Sequence, residues 1–330
     1  MTQILFADDA DLGIIQSRRV AVLGYGALAA AHALNLRDSG VKVIIGLPST
    51  TRAGAKAQEQ GFEVQPLAAA VAAASVVLVA LPLSRQVHIY DSEVAPHLAP
   101  HDTVIFTEGF NVRYGYLRPA VGLDVGLVCP QGRVHELRDE FVAGQGIPGL
   151  IAVQQDASGM AWEVVKSYAA AIGLTRAGVV ATTFAQATEA ALFSEQAVLG
   201  GGLNRLIQSG FETLVEAGYQ PEVAYFEVCY QLEQQARRLG EAGLWGRRTA
   251  ASDLAEYGGY TGGTRVITPE VKTQMKAVLA AIQSGEFAAR FMTDQNAGAV
   301  ELKTLRAANE NHVLESVGTR LRQLAPKTVP

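Results

Sequence analysis

The sequence predicts an α/β fold: an N-terminal domain on a parallel sheet, residues 1–182, followed by an all-helical domain, residues 183–330. Three observations predict it. Short β-branched runs alternate with helical stretches through the first half. A glycine-rich turn joins the first of these runs to a helix. From Phe184 onward the strand signal stops and long helical patterns take over.

The strand runs stand at Val20–Leu23, Val41–Leu47, Val76–Leu81, Thr103–Thr107, Val125–Cys129 and Leu150–Val153. They are continuously apolar rather than alternating, which is the pattern of strands buried on both faces. Helical stretches lie between most of them, at Ala27–Asp38, Arg52–Gln60 and Arg85–His97. In the second half, helices are expected over Phe184–Leu199, Asn204–Ala217, Val223–Glu241, Glu270–Ser284 and Glu301–Leu324. Gly200–Gly202 interrupt the first pair, and Gly258–Gly263 are expected to form a loop.

The 330 residues suffice for two domains, each with its own core. Hydrophobic residues make up 49% and charged residues 18%, which excludes a disordered chain. A net charge of −5 argues against a nucleic-acid partner. No apolar stretch has the length and flanks of a membrane span, and Met1–Leu12 does not read as a signal peptide. Cys129 and Cys229, without metal-ligand spacing, are expected to be buried free thiols of a cytoplasmic protein.

The segment Gly24-Tyr25-Gly26-Ala27-Leu28-Ala29 follows the strand Val20–Leu23 and opens a helix. It is a GxGxxA fingerprint. Its first glycine makes the tight turn, its second lets the backbone approach a pyrophosphate, and its small last residue lets helix and strand pack closely. The first domain is therefore expected to be a Rossmann-type dinucleotide-binding domain. Where NAD-binding sites place an acid after the second strand, this chain has Ser49, Thr50, Thr51 and Arg52. Three hydroxyls and a guanidinium suit a 2′-phosphate, which points to NADPH. One of the hydroxyls is also a candidate helix cap. Leu81, Pro82 and Gln86 are assigned to the same cofactor site.

Further motifs carry a resemblance. Ala10-Asp11-Leu12, the fingerprint, His32–Gly40, Gly109-Phe110-Asn111, Gln155-Asp156-Ala157, Thr182-Thr183-Phe184, Glu195–Leu199, Gly210–Tyr219, Ala224–Glu227, Ala255–Gly258 and Val317-Gly318 resemble ketol-acid reductoisomerases of the short class. The resemblance implies reduction and isomerisation of acetohydroxy acids with NADPH and two magnesium ions. It also implies a knotted helical domain that interlocks with a partner chain, so that a homodimer or larger homo-oligomer shares its active sites.

Four positions depart from the family's pattern. Its two i, i+4 carboxylate pairs are matched by Ala191 and Glu195 and by Glu227 and Gln231. Its histidine before Gly-Phe-Asn is Glu108, and its lysine in Pro-Lys-Gly is Gln131. A substrate-contacting serine is matched by Ser252. Alkyl migration needs a Lewis acid, and two of four carboxylates are missing. The expectation is therefore a metal-independent reductase without isomerisation, acting on a small-molecule imine. Glu108, Glu195 and Glu227 would serve the cationic acceptor, with Ser252 and Gln131 beside them. Reduction of a ketone, a magnesium-dependent ketol-acid reductoisomerase and a non-catalytic NADPH-binding paralogue are the alternatives.

Overall fold

A computed structural model describes residues 4–249 and 251–324. The outermost residues of both expected domains, 1–3 and 325–330, thus lie outside the described chain. The chain divides into two units, Met1–Thr188 and Glu189–Pro330.

The first unit is a nine-stranded sheet with helices on both faces. Its strands are β1 (Ile4–Leu5), β2 (Arg19–Leu23), β3 (Lys42–Gly46), β4 (Glu63–Gln65), β5 (Val76–Val79), β6 (Thr103–Phe106), β7 (Asp124–Pro130), β8 (Gly149–Gln155) and β9 (Val179–Ala181). Their order across the sheet is β1-β9-β8-β7-β6-β5-β2-β3-β4. Burial on both faces explains the apolar runs. Val20 and Val22 of β2 face one core with Leu78 and Ile105, while Ala21 and Leu23 face the other with Val77 and Phe106.

The sheet is parallel from β4 through β7, but β8 runs antiparallel to β7, and β1 antiparallel to β9. The expected parallel sheet is thus present, with antiparallel pairings added at β7–β8 and β9–β1. Apolar runs record burial and not direction, and β7 and β8 are joined by a short helix, Glu136–Val142.

The helix Ala27–Asp38, which follows the fingerprint, is locked in place by buried polar groups. Asn35, fully buried, donates to the carbonyls of Leu137 at 2.9 Å and Ile172 at 3.1 Å and accepts from Arg138 at 2.8 Å. One turn earlier, His32 Nδ1 meets the Tyr168 hydroxyl at 3.0 Å. Burial holds the His32 imidazole neutral, with its pKa lowered to about 3. Between pH 6.5 and that value the unfolded chain takes a proton at His32 that the folded chain refuses. Stability is therefore expected to fall with pH in this window, by up to about 1.4 kcal/mol per pH unit from this residue. Urea melts of wild type and His32→Gln between pH 7 and 4.5 test it: the variant should lose that part of the slope, and identical slopes would remove His32 from the acid response.

The second unit is helical: Gly202–Glu216, Pro221–Tyr225, Leu232–Thr249, Asp253–Val266, Pro269–Ser284, Glu286–Asn296, Val300–Glu310 and Val313–Leu324. Its small core gathers Phe211, Tyr225, Leu314, Val317 and Leu321. Many large apolar side chains stay exposed, Trp245, Leu254 and Tyr257 among them. The expected loop at Gly258–Gly263 is instead the middle of the helix Asp253–Val266. Ser252 caps this helix by accepting from Ala255 N, and Asp253 and Glu256 stand in its first turn. These terminal interactions oppose the cost of about 1 kcal/mol that each glycine brings to a helix interior. Neither cysteine is fully buried: Cys129 and Cys229 are half-buried and free.

Candidate active site

In the first unit, the chemistry-bearing residues share the C-terminal edge of the parallel strands. The chain turns at Gly24 with φ +95°, and a Cβ there would stand 2.9 Å from the Ala80 carbonyl oxygen, so the close approach of β2 and β5 requires glycine. Gly26 precedes the first helical residue, and the helix has no side-chain cap. Its first-turn N–H groups are thus available to an anion, and space is open beside Gly26, where a Cβ would meet nothing within 4 Å. These residues fit the pyrophosphate of a dinucleotide. Ala27 is exposed and Leu28 half-buried beside them.

Not every residue assigned to the cofactor presents its side chain there. The Tyr25 ring is buried edge-on against Phe62, and its hydroxyl donates to Gln60 Oε1 at 2.5 Å. Its backbone alone belongs to the turn. Beyond β3, Thr51 Oγ1 donates to the Pro48 carbonyl at 2.8 Å and accepts from Gly54 N at 3.1 Å. Its single proton is thereby committed, and Thr51 is the cap of the Arg52–Glu59 helix. Ser49 and Arg52 are exposed on the same turn. At the end of β5, Leu81 is half-buried, Pro82 is exposed, and Gln86 is buried, accepting from Asn111 Nδ2 at 2.9 Å.

Glu108 follows β6 and Gln131 follows β7. The last β6–β7 ladder pair is Phe106 with Leu127, so Glu108 and Cys129 occupy equivalent positions two residues on. Gln131 Nε2 reaches back to the Cys129 carbonyl and Sγ, both at 3.3 Å. Glu108 is exposed at the sheet edge, and partial desolvation by the surrounding strand ends still raises its pKa above the ordinary carboxylate value. Burial, and then the negative charge of Glu108, push the Cys129 thiol up as well. In the sequence Cys129 is legible as a free thiol but not as a neighbour of Glu108. Its signal was positional: it follows β7 at the offset at which Glu108 follows β6.

In the second unit, both glutamates lie on π-helical turns. Glu195 is in Ser194–Val198 and Glu227 in Phe226–Tyr230. Such wide turns inside helices are common at functional sites. The three glycines after Glu195 are required by close approach: Cβ atoms on Gly201 and Gly202 would lie 2.0 and 2.2 Å from the carbonyls of Gln196 and Ala197. Glu195 and Glu227 are exposed, as are the apolar side chains of Val198, Leu199, Phe226 and Tyr230 near them. Gln231 Nε2 donates to Glu227 Oε2 at 3.1 Å, so the i, i+4 positions do face each other, as an amide and a carboxylate. Ser252 is an exposed helix cap.

Comparison with known proteins places this geometry. Residues 14–178 match the family described as acetohydroxy acid isomeroreductase, NADPH-binding domain, and residues 184–327 match ketol-acid reductoisomerase, C-terminal domain. The chain belongs to the ketol-acid reductoisomerase family. The NADP(+) ketol-acid reductoisomerase of Arthrobacter sp. (strain FB24) is 53% identical over 98% of this chain and 95% of its own length. That of Kocuria rhizophila is 50% identical over the same shares. An NADH-preferring ketol-acid reductoisomerase from an uncultured archean superposes with a TM-score of 0.93 at 38% identity, covering 98% of this chain and 100% of its own.

These relatives overturn the expectation of a metal-independent imine reductase. That expectation rested on the two missing carboxylates and on three acids assigned to one pocket. Glu108 belongs to the first unit and Glu195 and Glu227 to the second. Four altered side chains show what a site lacks; they do not name another acceptor, while the family's scaffold extends over the whole chain. The chain is a member of an NADP-dependent oxidoreductase family, and its first domain is that family's NADPH-binding domain. Among the described residues, no helix is long and apolar enough to cross a membrane.

Only half of the carboxylates that the resemblance implies for two magnesium ions are present. Ala191 carries no donor atom, Gln231 is neutral, and no group of three metal-ligating side chains occurs among the described residues. Glu195 and Glu227 remain of the two carboxylate pairs.

Proposed function

We propose that the protein is an NADPH-dependent ketol-acid reductoisomerase acting on acetohydroxy acids. The observation that carries this reading is half-identity to named ketol-acid reductoisomerases along 98% of the chain, through both domains. When bound, NADPH supplies the hydride. The chain's own residues hold it across the sheet edge: the uncapped helix start at Gly26–Leu28 takes the pyrophosphate, and Ser49 and Arg52 take the 2′-phosphate. The residues beyond β5 and β6, on the other side of the crevice where the strand order reverses, would then hold the nicotinamide half. Self-association of the helical unit, as a homodimer or larger, belongs to the same reading and is supported by its small core and exposed apolar side chains.

The experiment is NADPH oxidation by the purified protein with 2-acetolactate in the presence of magnesium, with the product identified. A rearranged dihydroxy acid is expected. Oxidation that yields only an unrearranged alcohol, or none at all, would overturn the assignment.

A further inference from the structure

We propose that Glu108 is the acid that protonates the substrate oxygen as the carbonyl is reduced. The proposal rests on the NADPH-dependent reading above and adds a residue to it. Topology supplies the first argument. The fingerprint turn ends β2, and the next strands on the side away from the Arg52 turn are β5 and then β6. Adjacent strands are about 4.8 Å apart, so the end of β6 lies about 10 Å from the pyrophosphate turn. That is the reach of the nicotinamide half of a dinucleotide that crosses the crevice. Glu108 is the first acid beyond β6.

The surroundings supply the second argument. The groups facing Glu108 are poor partners for an ionised carboxylate. From β7 they are the Cys129 thiol, itself pushed toward its neutral form, and the amide of Gln131, which is turned to Cys129. The next residue, Gly109, is pressed against the Phe184–Phe193 helix: a Cβ there would meet Thr188 Oγ1 at 2.3 Å and the Phe184 ring at 3.1 Å. That contact fixes the backbone that carries Glu108. The hydroxyl of Thr188 is neutral, and no cation among the described residues lowers the carboxyl. The group holds a proton more readily than an ordinary glutamate, yet solvent can reload it.

The step balances. Hydride from C4 of the dihydronicotinamide forms a C–H bond at the carbonyl carbon, and the C=O π pair moves to oxygen. The Glu108 carboxyl gives its proton to that oxygen. The products are the alcohol, the oxidised cofactor and the Glu108 carboxylate, which takes a proton from water.

Glu108→Gln keeps the shape and removes the proton. Its turnover is expected to fall by about 10²–10⁴-fold with NADPH affinity unchanged. In the wild type the rate should decline as pH rises through the Glu108 pKa, and this limb should vanish in Glu108→Gln. Glu108→Asp should retain part of the rate with the limb displaced. A readout without turnover is infrared difference spectroscopy of the NADPH complex in mildly acidic buffer. A protonated carboxyl band should be present in wild type and absent in Glu108→Gln. An unchanged rate and pH profile in Glu108→Gln, or no such band in wild type, overturns the role of Glu108. Failure of wild type to act on any acetohydroxy acid or its rearranged 3-hydroxy-2-keto acid overturns the functional reading instead, and the infrared band still decides the proton on Glu108.

Discussion

The double variant Ala191→Asp/Gln231→Glu is expected to reach half-maximal turnover of 2-acetolactate at about a hundredfold lower magnesium than the wild type. Magnesium is a hard cation that takes oxygen ligands, and affinity rises with the number of anionic ones, here by about tenfold for each carboxylate added. Position 231 already reaches Glu227, with its amide nitrogen 3.1 Å from Glu227 Oε2. The substitution replaces a donor aimed at that oxygen with a second acceptor, so without a cation the two carboxylates repel. Position 191 stands one helical turn before Glu195 and is exposed, so aspartate fits without displacing core. The single variants should each recover part of the effect. Magnesium titrations at saturating NADPH measure it. A double variant with the wild-type magnesium dependence would show that these positions do not face a metal, and the carry-over of the carboxylate pairs onto residues 191, 195, 227 and 231 would fall.

The parts legible in the sequence were those written in a local pattern. The runs at Val20–Leu23 and Val76–Leu81 are apolar at every position because both faces of the sheet are covered, and that reads directly. β4 and β9 are three residues long and β1 is two, too short for any period to show. The reversal of β8 is set by its pairing with β7 and β9, a relation between distant residues that no local pattern encodes. The loop expected at Gly258–Gly263 weighed propensity alone, whereas the cap at Ser252 settled the helix.

The candidate site divided along the same line. Gly24 and Gly26 were read correctly as a turn and a helix start because backbone geometry dictates the residue type. Thr51 and Tyr25 were assigned to the cofactor from their places in the motif, with a helix cap read for one of the hydroxyls as well. Only the structure reveals that one is committed to Pro48 and Gly54 and the other to Gln60 and Phe62. The exposure of Glu195 and Glu227 was hidden because an apolar residue beside them reads the same whether buried, like Tyr225, or exposed, like Val198 and Phe226.

Two substitutions in the fingerprint should separate fold from cofactor binding. Gly26→Val is expected to weaken NADPH binding by about a hundredfold while leaving the thermal stability of the cofactor-free protein within about 2 °C of wild type. Gly26 has φ −70° and ψ 176°, a conformation open to any L-residue, and its Cβ would project into space clear of protein atoms. The fold therefore bears little cost. The same space is where a pyrophosphate must approach the helix N–H groups, and a branched side chain there holds it beyond hydrogen-bonding distance. A loss of two or three such charge-assisted hydrogen bonds corresponds to about 3 kcal/mol, or about a hundredfold in affinity. Gly24→Ala should behave in the opposite way. Its φ of +95° disfavours any Cβ, and the added atom would stand 2.9 Å from the backbone oxygen of Ala80, so the cofactor-free domain itself should melt several degrees lower. Fluorescence titration with NADPH, paired with thermal melts without it, tests both variants. Wild-type NADPH affinity in Gly26→Val would place the pyrophosphate elsewhere and remove the cofactor site from the β2 turn.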